Sequence, residues 1–597
     1  MINGQSNFNS AAMTPAGLQP ARSLLLRRLA FSALCAFIYI GLVSTLATIL
    51  AVGGWTWIDR LILLSFAVTA PWSVLGFANS LIGAWLCFRP HLPGETVSSL
   101  VPKMTQCDGP KGRIAIVMTI RNEDPARAFL RLRTMKRSLD GADGAVNITY
   151  FILSDTSDDE IAGRETEAFA SWTAEEPHDH PRIFYRRRAD NEGFKAGNLH
   201  DFCERWGADF EYFVPLDADS LMTGETVIKM AHAMDAFPKI GILQSLVVGM
   251  PTLSAFSRIF QFGMRHGMRA YTLGCTWWSG DCSQFWGHNA VLRVRPFHMH
   301  CRLPELPGTP PWGGPILSHD QVEAALMRRA GFEVRVVPTE TGSYEDNPPT
   351  VLEFIRRDMR WCQGNMQYAR LLNMPGLRPT SRFQLLWAMM MFVGVPAGTL
   401  FILLIALKPL APKDHSDFPQ GLAVSAYVTF LLISLAPKII GYLDIALAKT
   451  EVERFGGQRL FVISCIAELV FSFLLGAITT LRTGIFMFEL AVGRSVCWTA
   501  QARDTTSLGL SAACRELWPQ TMFGAFVICL LNFSSPALAL WSLPLTAGFM
   551  LAIPFALVTS RPDFGRFLAR ARLCSIPEEI VPVPEIAAIS PSQRKIS

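Results

Sequence analysis

Apolar residues along this chain fall into long blocks at the two ends and short runs through the middle, and that division predicts its architecture. Leu29–Gly53 and Leu61–Phe88 are each long enough to cross a bilayer as a helix, which takes about 20 residues. From about Arg89 to Thr380 the composition is that of an ordinary polar domain. After Arg382 the long blocks return as Leu385–Leu407, Leu422–Leu447, Leu460–Val492 (interrupted by Arg482), Thr521–Trp541 and Leu543–Val558.

Charge orients this arrangement. Arg22, Arg27 and Arg28 precede the first block, and Arg561, Arg566, Arg570 and Arg572 follow the last, so the positive-inside rule places both ends in the cytoplasm. The first block is too long for a signal-peptide core and a second follows it, so both are expected to be retained as helices. Seven crossings cannot return the chain to its starting side. Leu460–Val492 is therefore expected to turn back as two short helices, a re-entrant loop or a surface-lying helix. The resulting division is a disordered start at 1–20, two transmembrane helices within 21–90, a cytoplasmic domain at 91–380, transmembrane and interfacial helices at 381–560 and a cytoplasmic tail at 561–597. The last 25 or so residues, like the first 20, are Ser/Asn/Pro-rich and read as disordered. Three charges stand out in the later blocks: Glu468, Arg482 and Glu489 face a pathway or partner, or lie on a surface helix.

Composition agrees. Half of the 597 residues are hydrophobic, 17% are charged, and the mean hydropathy is +0.27. The 13 cysteines show no paired metal spacing, and Cys275 and Cys282 lack a CxxC partner pattern. Reduced structural thiols are expected.

In the polar middle, short apolar runs read as buried strands, and the residues just after them fall at the carboxyl edge of a sheet, where open α/β folds bind ligands. Arg113–Thr119 leads into the loop Ile120–Pro125, which offers Arg121 and Glu123 to a nucleotide base and ribose, or simply caps the next helix with Asn122 or Asp124. Ile148–Ser154 ends in Asp155, a carboxylate able to accept from a uracil N–H or a ribose hydroxyl. Arg182–Arg187 leads through Arg188 to Asn191–Asn198, where Lys195 between two glycines can reach a phosphate without Walker A spacing. Tyr212–Leu216 ends in Asp217 and Asp219, spaced to share one hard divalent cation with a substrate diphosphate. Ile240–Gln244 and Val334–Pro338 are further strand runs, with an aromatic helix at Phe256–Tyr271. Trp277, Trp278 and Trp286 either stack on sugar rings or pack in the core. Asp320 precedes a helix, as its N-cap or as a projecting general base. Phe354–Trp361 is an amphipathic helix just before the membrane blocks resume, its arginines set for lipid phosphates or a leaving pyrophosphate.

Together Asp155, Asp217–Asp219, Asp320 and Arg357–Trp361 resemble the D…DxD…D…QxxRW pattern of the processive family 2 glycosyltransferases, with Arg357 in place of the usual Gln. The resemblance covers roughly Arg113–Gln367 and the flanking membrane hairpins. The wording of Asn191–Asn198, Ser318–Gly331 and Arg360–Asn365 is closer still to the glucans biosynthesis glucosyltransferase H family. That resemblance implies an α/β, Rossmann-like GT-A domain inserted in a multi-span helical membrane domain. It implies an inverting hexosyltransferase of the bacterial inner membrane that builds the β-linked glucose backbone of osmoregulated periplasmic glucans from UDP-glucose and moves it towards the periplasm. Mg²⁺ or Mn²⁺ would sit at Asp217 and Asp219, and the donor would be bound by Arg121, Glu123, Asp155, Lys195, Asp217 and Arg360. The acceptor would meet Trp361 and Arg357, with Asp320 as the base. Implied partners are UDP-glucose, the growing glucan, the lipid bilayer and periplasmic glucan-processing proteins, with no nucleic acid. A cellulose-, mannan- or hyaluronan-like synthase is the nearest alternative, and a non-catalytic membrane scaffold the next.

Overall fold

A computed structural model describes residues 21–88, 97, 100, 104, 109–144, 147–410, 417–495 and 507–590. The expected disorder of 1–20, Arg89, the start of the polar domain near 91 and the extreme tail lie outside these residues.

Two long helices open the chain, α1 (Ala21–Ala51) and α2 (Trp57–Cys87). The middle domain is an eight-stranded mixed sheet with helices on both faces. Its strands are β1 (Ile114–Ile120), β2 (Ile148–Ser154), β3 (Ile183–Arg187), β4 (Tyr212–Asp217), β5 (Leu221–Met222), β6 (Ile240–Gly249), β7 (Ala290–Arg293) and β8 (Glu333–Glu345), in spatial order β3-β2-β1-β4-β7-β6-β8-β5. The first four are mutually parallel; β7 then runs antiparallel between β4 and β6.

Side-chain alternation explains why these runs are strands. Ile114, Ile116 and Met118 of β1 enter the core on one face, with Phe129, Leu132 and Met135 of α3 (Pro125–Asp140) and Val227 and Met230 of α6 (Gly224–Ala236). Ala115 and Val117 enter the core on the other, with Leu199 and Phe202 of α5 (Phe194–Trp206), Phe297 of α8 (Val294–His300) and Val322 of α9 (Asp320–Arg329). A sheet covered on both faces must be apolar at every position, as these runs are. Fully burying one such side chain contributes about 1.5–3 kcal/mol. Asp158 caps α4 (Asp159–Glu175), accepting from the N–H of Glu160 at 3.0 Å, so of the acids after β2 only Asp155 is left at the strand tip.

The polar domain is seated on the membrane helices by α7 (Ala255–Ser279), longer than its aromatic run predicts. A Cβ at Gly274 would stand 1.9 Å from the carbonyl oxygen of Asn79 on α2, so only glycine permits this crossing. Trp277 and Trp278 belong to the same junction. Trp278 stacks on Phe31 with centroids 4.4 Å apart and donates to Asn79 Oδ1, while Trp277 lies against Trp85 and Arg27. Their apolar faces are used in packing, not offered to sugar.

After α10 (Val351–Met366) come α11 (Pro379–Leu407), α12 (Gln420–Ala446), the short α13 (Lys449–Glu453), α14 (Gln458–Ala491), α15 (Leu510–Ser534), α16 (Pro536–Met550), α17 (Ala552–Thr559), α18 (Pro562–Arg570), α19 (Pro577–Ile580) and α20 (Pro584–Ile589). Among the described residues, six helices are long and apolar enough to cross a membrane, and α16 with α17 form a further pair bent by 58°.

Two expectations are corrected here. Leu460–Val492 is neither two short helices nor a re-entrant loop: α14 is one continuous helix of 34 residues. A break between two short apolar helices is found in α16–α17 instead. Arg482 does not interrupt α14, since a helical residue hydrogen-bonds its own backbone whatever its side chain. Glu468, buried at 1% exposure, pairs with Lys438 and Tyr442 and accepts from Ser472 at 2.5 Å, so it faces a partner; Glu489 lies 3.7 Å from Arg494.

The tail is the second correction. Up to Ser590 it is described as folded, and Arg258 and Arg265 of α7 clamp Glu579 and Glu578, with Arg258 Nη1 2.7 Å from Glu579 and Arg265 Nη1 2.6 Å from Glu578. Ile586 is buried against Leu221, Val248 and Tyr344.

Candidate active site

Parallel pairing of β1, β2 and β4 brings their carboxyl ends to one edge, and the polar residues that follow them meet there. Asp155, 7% exposed, receives a two-pronged contact from Arg188: Nε to Oδ1 at 2.7 Å and Nη2 to Oδ2 at 2.8 Å. With its amide nitrogen turned towards Asp155, Asn191 donates to Oδ2 at 3.0 Å and accepts from Arg121 Nη1 at 2.9 Å. Arg121 also lies over the Phe194 ring, at 5.8 Å. Glu123 is half-buried in the same loop.

Lys195, in the first turn of α5, pairs with Asp217. The Asp217–Ser220 turn is braced from both sides. Asp217 N–H donates to Ser220 Oγ at 3.1 Å, Ser220 N–H to the Asp217 carbonyl at 3.0 Å, and Arg131 of α3 to the Ala218 carbonyl at 3.1 Å. Asp217 and Asp219 are both half-buried. Ser220 Oγ lies 3.2 Å from His288 Nδ1, whose Nε2 is 3.4 Å from Glu345 Oε2 at the end of β8. Burial raises the Glu345 pKa, opposed by His288 and Arg357 and reinforced by Asp219 and Asp217, so these side chains share one electrostatic neighbourhood.

Asp320 is the first residue of α9, and His319 before it takes the N-cap position without a side-chain cap bond. Asp320 is thus a projecting carboxylate, not the cap. Gly287 lies against it: a Cβ there would be 3.4 Å from Asp320 Cβ. The loop carrying Asp320 rests on α10 and on the single turn, Gln367–Arg370, that follows it. Tyr368 donates to the Ser318 carbonyl at 2.9 Å, and a Cβ at Gly364 would come within 2.7 Å of Ser318. Burial raises the Asp320 pKa, against the opposing effects of His319 and of the Gln321 N–H. Burial pulls His319 the other way, but Glu323, 2.9 Å from Nδ1 and fully buried, overrides it and holds the imidazole pKa above its ordinary value.

On α10, Arg357 is sandwiched between two rings, 5.2 Å from Phe354 and 4.6 Å from Trp361. Trp361 is 45% exposed, and Arg360 beside it is half-buried. Trp286 alone of the three candidate sugar-stacking tryptophans stays at this edge, its backbone N–H donating to Gln244 Oε1 at 2.9 Å one residue before Gly287.

The structure therefore gathers Arg121, Asp155, Lys195, Asp217, Asp219, Asp320 and Arg357 around one sheet edge. It adds residues that the sequence reading did not place in the site: Arg131, Asn191, His288 and Glu345, with Arg188 named there only as a loop residue. Glu345 was within reach of the rule that marked Asp155 and Asp217, a strand run ending in a carboxylate. The expected strand stopped at Pro338, whereas β8 continues through it with shifts of register against β6. Proline is tolerated at such irregularities.

Comparison with known proteins identifies the fold's family. Residues 115–299 match the family described as Glycosyl transferase family 2, and 212–437 the Glycosyl transferase family group 2. A protein of Xanthomonas oryzae pv. oryzae named glucans biosynthesis glucosyltransferase H is 36% identical over 81% of this chain and 77% of its own length. A protein of the same name from Xanthomonas campestris pv. campestris is 33% identical over 92% of this chain and 87% of its own. A solved mannosyltransferase from Pyrobaculum calidifontis, in complex with GDP-Man and Mn²⁺, is similar at a TM-score of 0.40 and 16% identity, over 64% of this chain and 98% of that one. With relatives this similar over most of both lengths, the chain belongs to the glucans biosynthesis glucosyltransferase H family, within the family 2 glycosyltransferases.

Proposed function

We propose that this protein polymerises a β-linked glucan from UDP-glucose at the cytoplasmic face of the bacterial inner membrane and passes it outward through its own helices. The observation that carries this reading is the gathering of Asp155, Asp217, Asp219 and Asp320 at one sheet edge in a chain whose relatives bear a glucan-synthesis name. A scaffold has no use for that constellation.

In this reading Asp155, held rigid by Arg188, accepts from the uracil or ribose, with Arg121 and Glu123 beside the base. Lys195 exchanges its contact with Asp217 for the diphosphate, and Arg360 neutralises the departing UDP. The carboxylates fit a hard cation: the donors are all oxygen, and Glu345 adds a third acidic group to the neighbourhood. Asp217 and Asp219 would hold Mg²⁺ or Mn²⁺, which supplies charge neutralisation to the diphosphate when bound. Asp320 accepts the proton of the acceptor hydroxyl as that oxygen attacks C1. The C1–O bond to the diphosphate breaks on the opposite face, so an α-linked donor yields a β-linked product with UDP as leaving group. Trp361, with Arg357 on its face, and Trp286 offer apolar ring surface to acceptor sugars.

The division 21–90, 91–380 and 381–560, with both ends cytoplasmic, belongs to the same reading. Six crossings satisfy it if α16–α17 enter and leave on one side. Periplasmic glucan-processing proteins would receive the product. Linkage analysis of glucan made from radiolabelled UDP-glucose in a clean host membrane tests the reading. A cellulose, mannan or hyaluronan product would replace it with the alternative synthase, and no UDP release at all would revive the scaffold.

A further inference from the structure

Away from the sheet edge just described, three side chains converge on a single point. His200 and Glu204 lie one turn apart on the same face of α5, and His298 reaches them from α8. Their ligating atoms all lie within 4.8 Å of one another, the one such group among the described residues. The rings of His200 and His298 are tilted at 54° with centroids 5.9 Å apart. Neither nitrogen of the His200 ring has a hydrogen-bond partner among the described residues, and both are sealed from solvent. A buried polar group without a partner is uncommon in folded proteins. Here both nitrogens of one ring are in that state, beside a second imidazole and a carboxylate. Glu204 and His298 are exposed, so the point of convergence is open to an arriving ion.

We propose that His200, Glu204 and His298 form a zinc-class metal site that clips α5 to α8. Two imidazoles and one carboxylate suit Zn²⁺ or Co²⁺, whereas Mg²⁺ prefers oxygen ligands and keeps several waters. This separates the clip from the all-oxygen set at Asp217 and Asp219. Three protein ligands leave a fourth tetrahedral position for water. The placement gives the clip a purpose. α5 begins with Phe194 and Lys195, the cation paired with Asp217, and α8 follows directly on β7, whose approach carries Gly287 and His288. An ion between the two helices would fix these elements relative to each other, with no part in the chemistry.

The test uses the full chain in detergent or nanodiscs, stripped with chelator, reloaded with Zn²⁺ in the presence of excess Mg²⁺, and desalted. The wild type is expected to retain one zinc per chain, and His298→Ala and Glu204→Gln almost none; both positions are exposed and remove no core packing. Co²⁺ loading should give visible d–d absorption in the wild type that both variants lose, and zinc should raise the unfolding midpoint of the wild type alone. Zinc retained equally by wild type and variants, or by neither, overturns the proposal.

Discussion

The carboxylates at the sheet edge are held in two opposite ways. Asp155 and Asp217 are each paired with a cation, Arg188 and Lys195, that reaches them from the segment after β3. Asp320 faces them from a helix start, in a pocket whose burial raises its pKa. A carboxylate with an Arg fork is fixed in place, which suits orienting a nucleotide. A carboxylate whose proton affinity is raised suits accepting a proton. In the proposed mechanism one edge thus contains a binding half and a proton-transfer half, and the difference lies in what packs around each acid rather than in the acid.

The largest effect is expected at the donor half. Asp219→Ala should leave UDP release undetectable while the melting transition is retained, because the residue sits on a turn braced by Ser220 and Arg131 rather than in the core. Removal of divalent cations should do the same to the wild type. Turnover near the wild-type rate in either case would remove the metal from the mechanism.

At the other half, Asp320→Asn should lower the transfer rate by about 10²–10⁴-fold, the usual range for a general base, with UDP-glucose affinity retained. Loss of donor affinity instead would move Asp320 to the binding half. The pH profile gives a second reading. A raised pKa means that the carboxylate is lost on the acid side at a higher pH than for an ordinary Asp at about 3.9, so the acid limb of kcat/KM should lie above that value and vanish in Asp320→Asn. The sign for stability is opposite. The folded state binds this proton more tightly than the unfolded chain, so that contribution is present at low pH and lost as pH rises through the folded pKa. At neutral pH Asp320→Asn should therefore melt no lower than the wild type.

Arg188→Ala should show that the binding half is built on charge pairing. It leaves Asp155, 7% exposed, without its fork, and breaking a buried pair typically costs about 3–5 kcal/mol. Weakened UDP binding and a lowered unfolding midpoint are expected together. UDP binding unchanged by isothermal titration would separate Asp155 from the donor.

The acids of both halves were legible in sequence, and the reason is physical. Apolar strand runs ending in an acid, and an acid opening a helix, are local patterns. Asp155, Asp217 and Asp320 were therefore visible one at a time. What holds them is not local. Arg188 meets Asp155 from 33 residues away, and His288 meets Ser220 from 68. The folded tail was hidden for the same reason. Glu578 and Glu579 belong to a Pro-rich terminus that reads as disordered until α7, more than 300 residues earlier, supplies Arg265 and Arg258. In the membrane blocks, Arg482 suggested a break that a helix has no need to make, while the bend in α16–α17 falls in residues apolar throughout.

The smallest effect is expected where this chain departs from the superfamily pattern. Arg357 replaces a Gln, and its guanidinium lies 4.6 Å from the Trp361 ring centroid and 5.2 Å from that of Phe354. A contact of this kind at a partly exposed site is worth about 0.5–1 kcal/mol. Gln can hydrogen-bond an acceptor hydroxyl from the same helix position but cannot hold the indole by charge. Arg357→Gln should therefore loosen Trp361 without touching the donor carboxylates. The expected result is a rise of about 2–5-fold in the apparent KM for a glucan acceptor, by the same free-energy scale, with the KM for UDP-glucose unchanged. Glu345 makes this a sharp test, because Arg357 also acts on that half-buried carboxyl, which Asp219 and Asp217 influence in turn. If Arg357→Gln instead raised the UDP-glucose KM or shifted the divalent-cation requirement, Arg357 would belong to the donor half. The boundary between the two halves would then run through α10 rather than beside it.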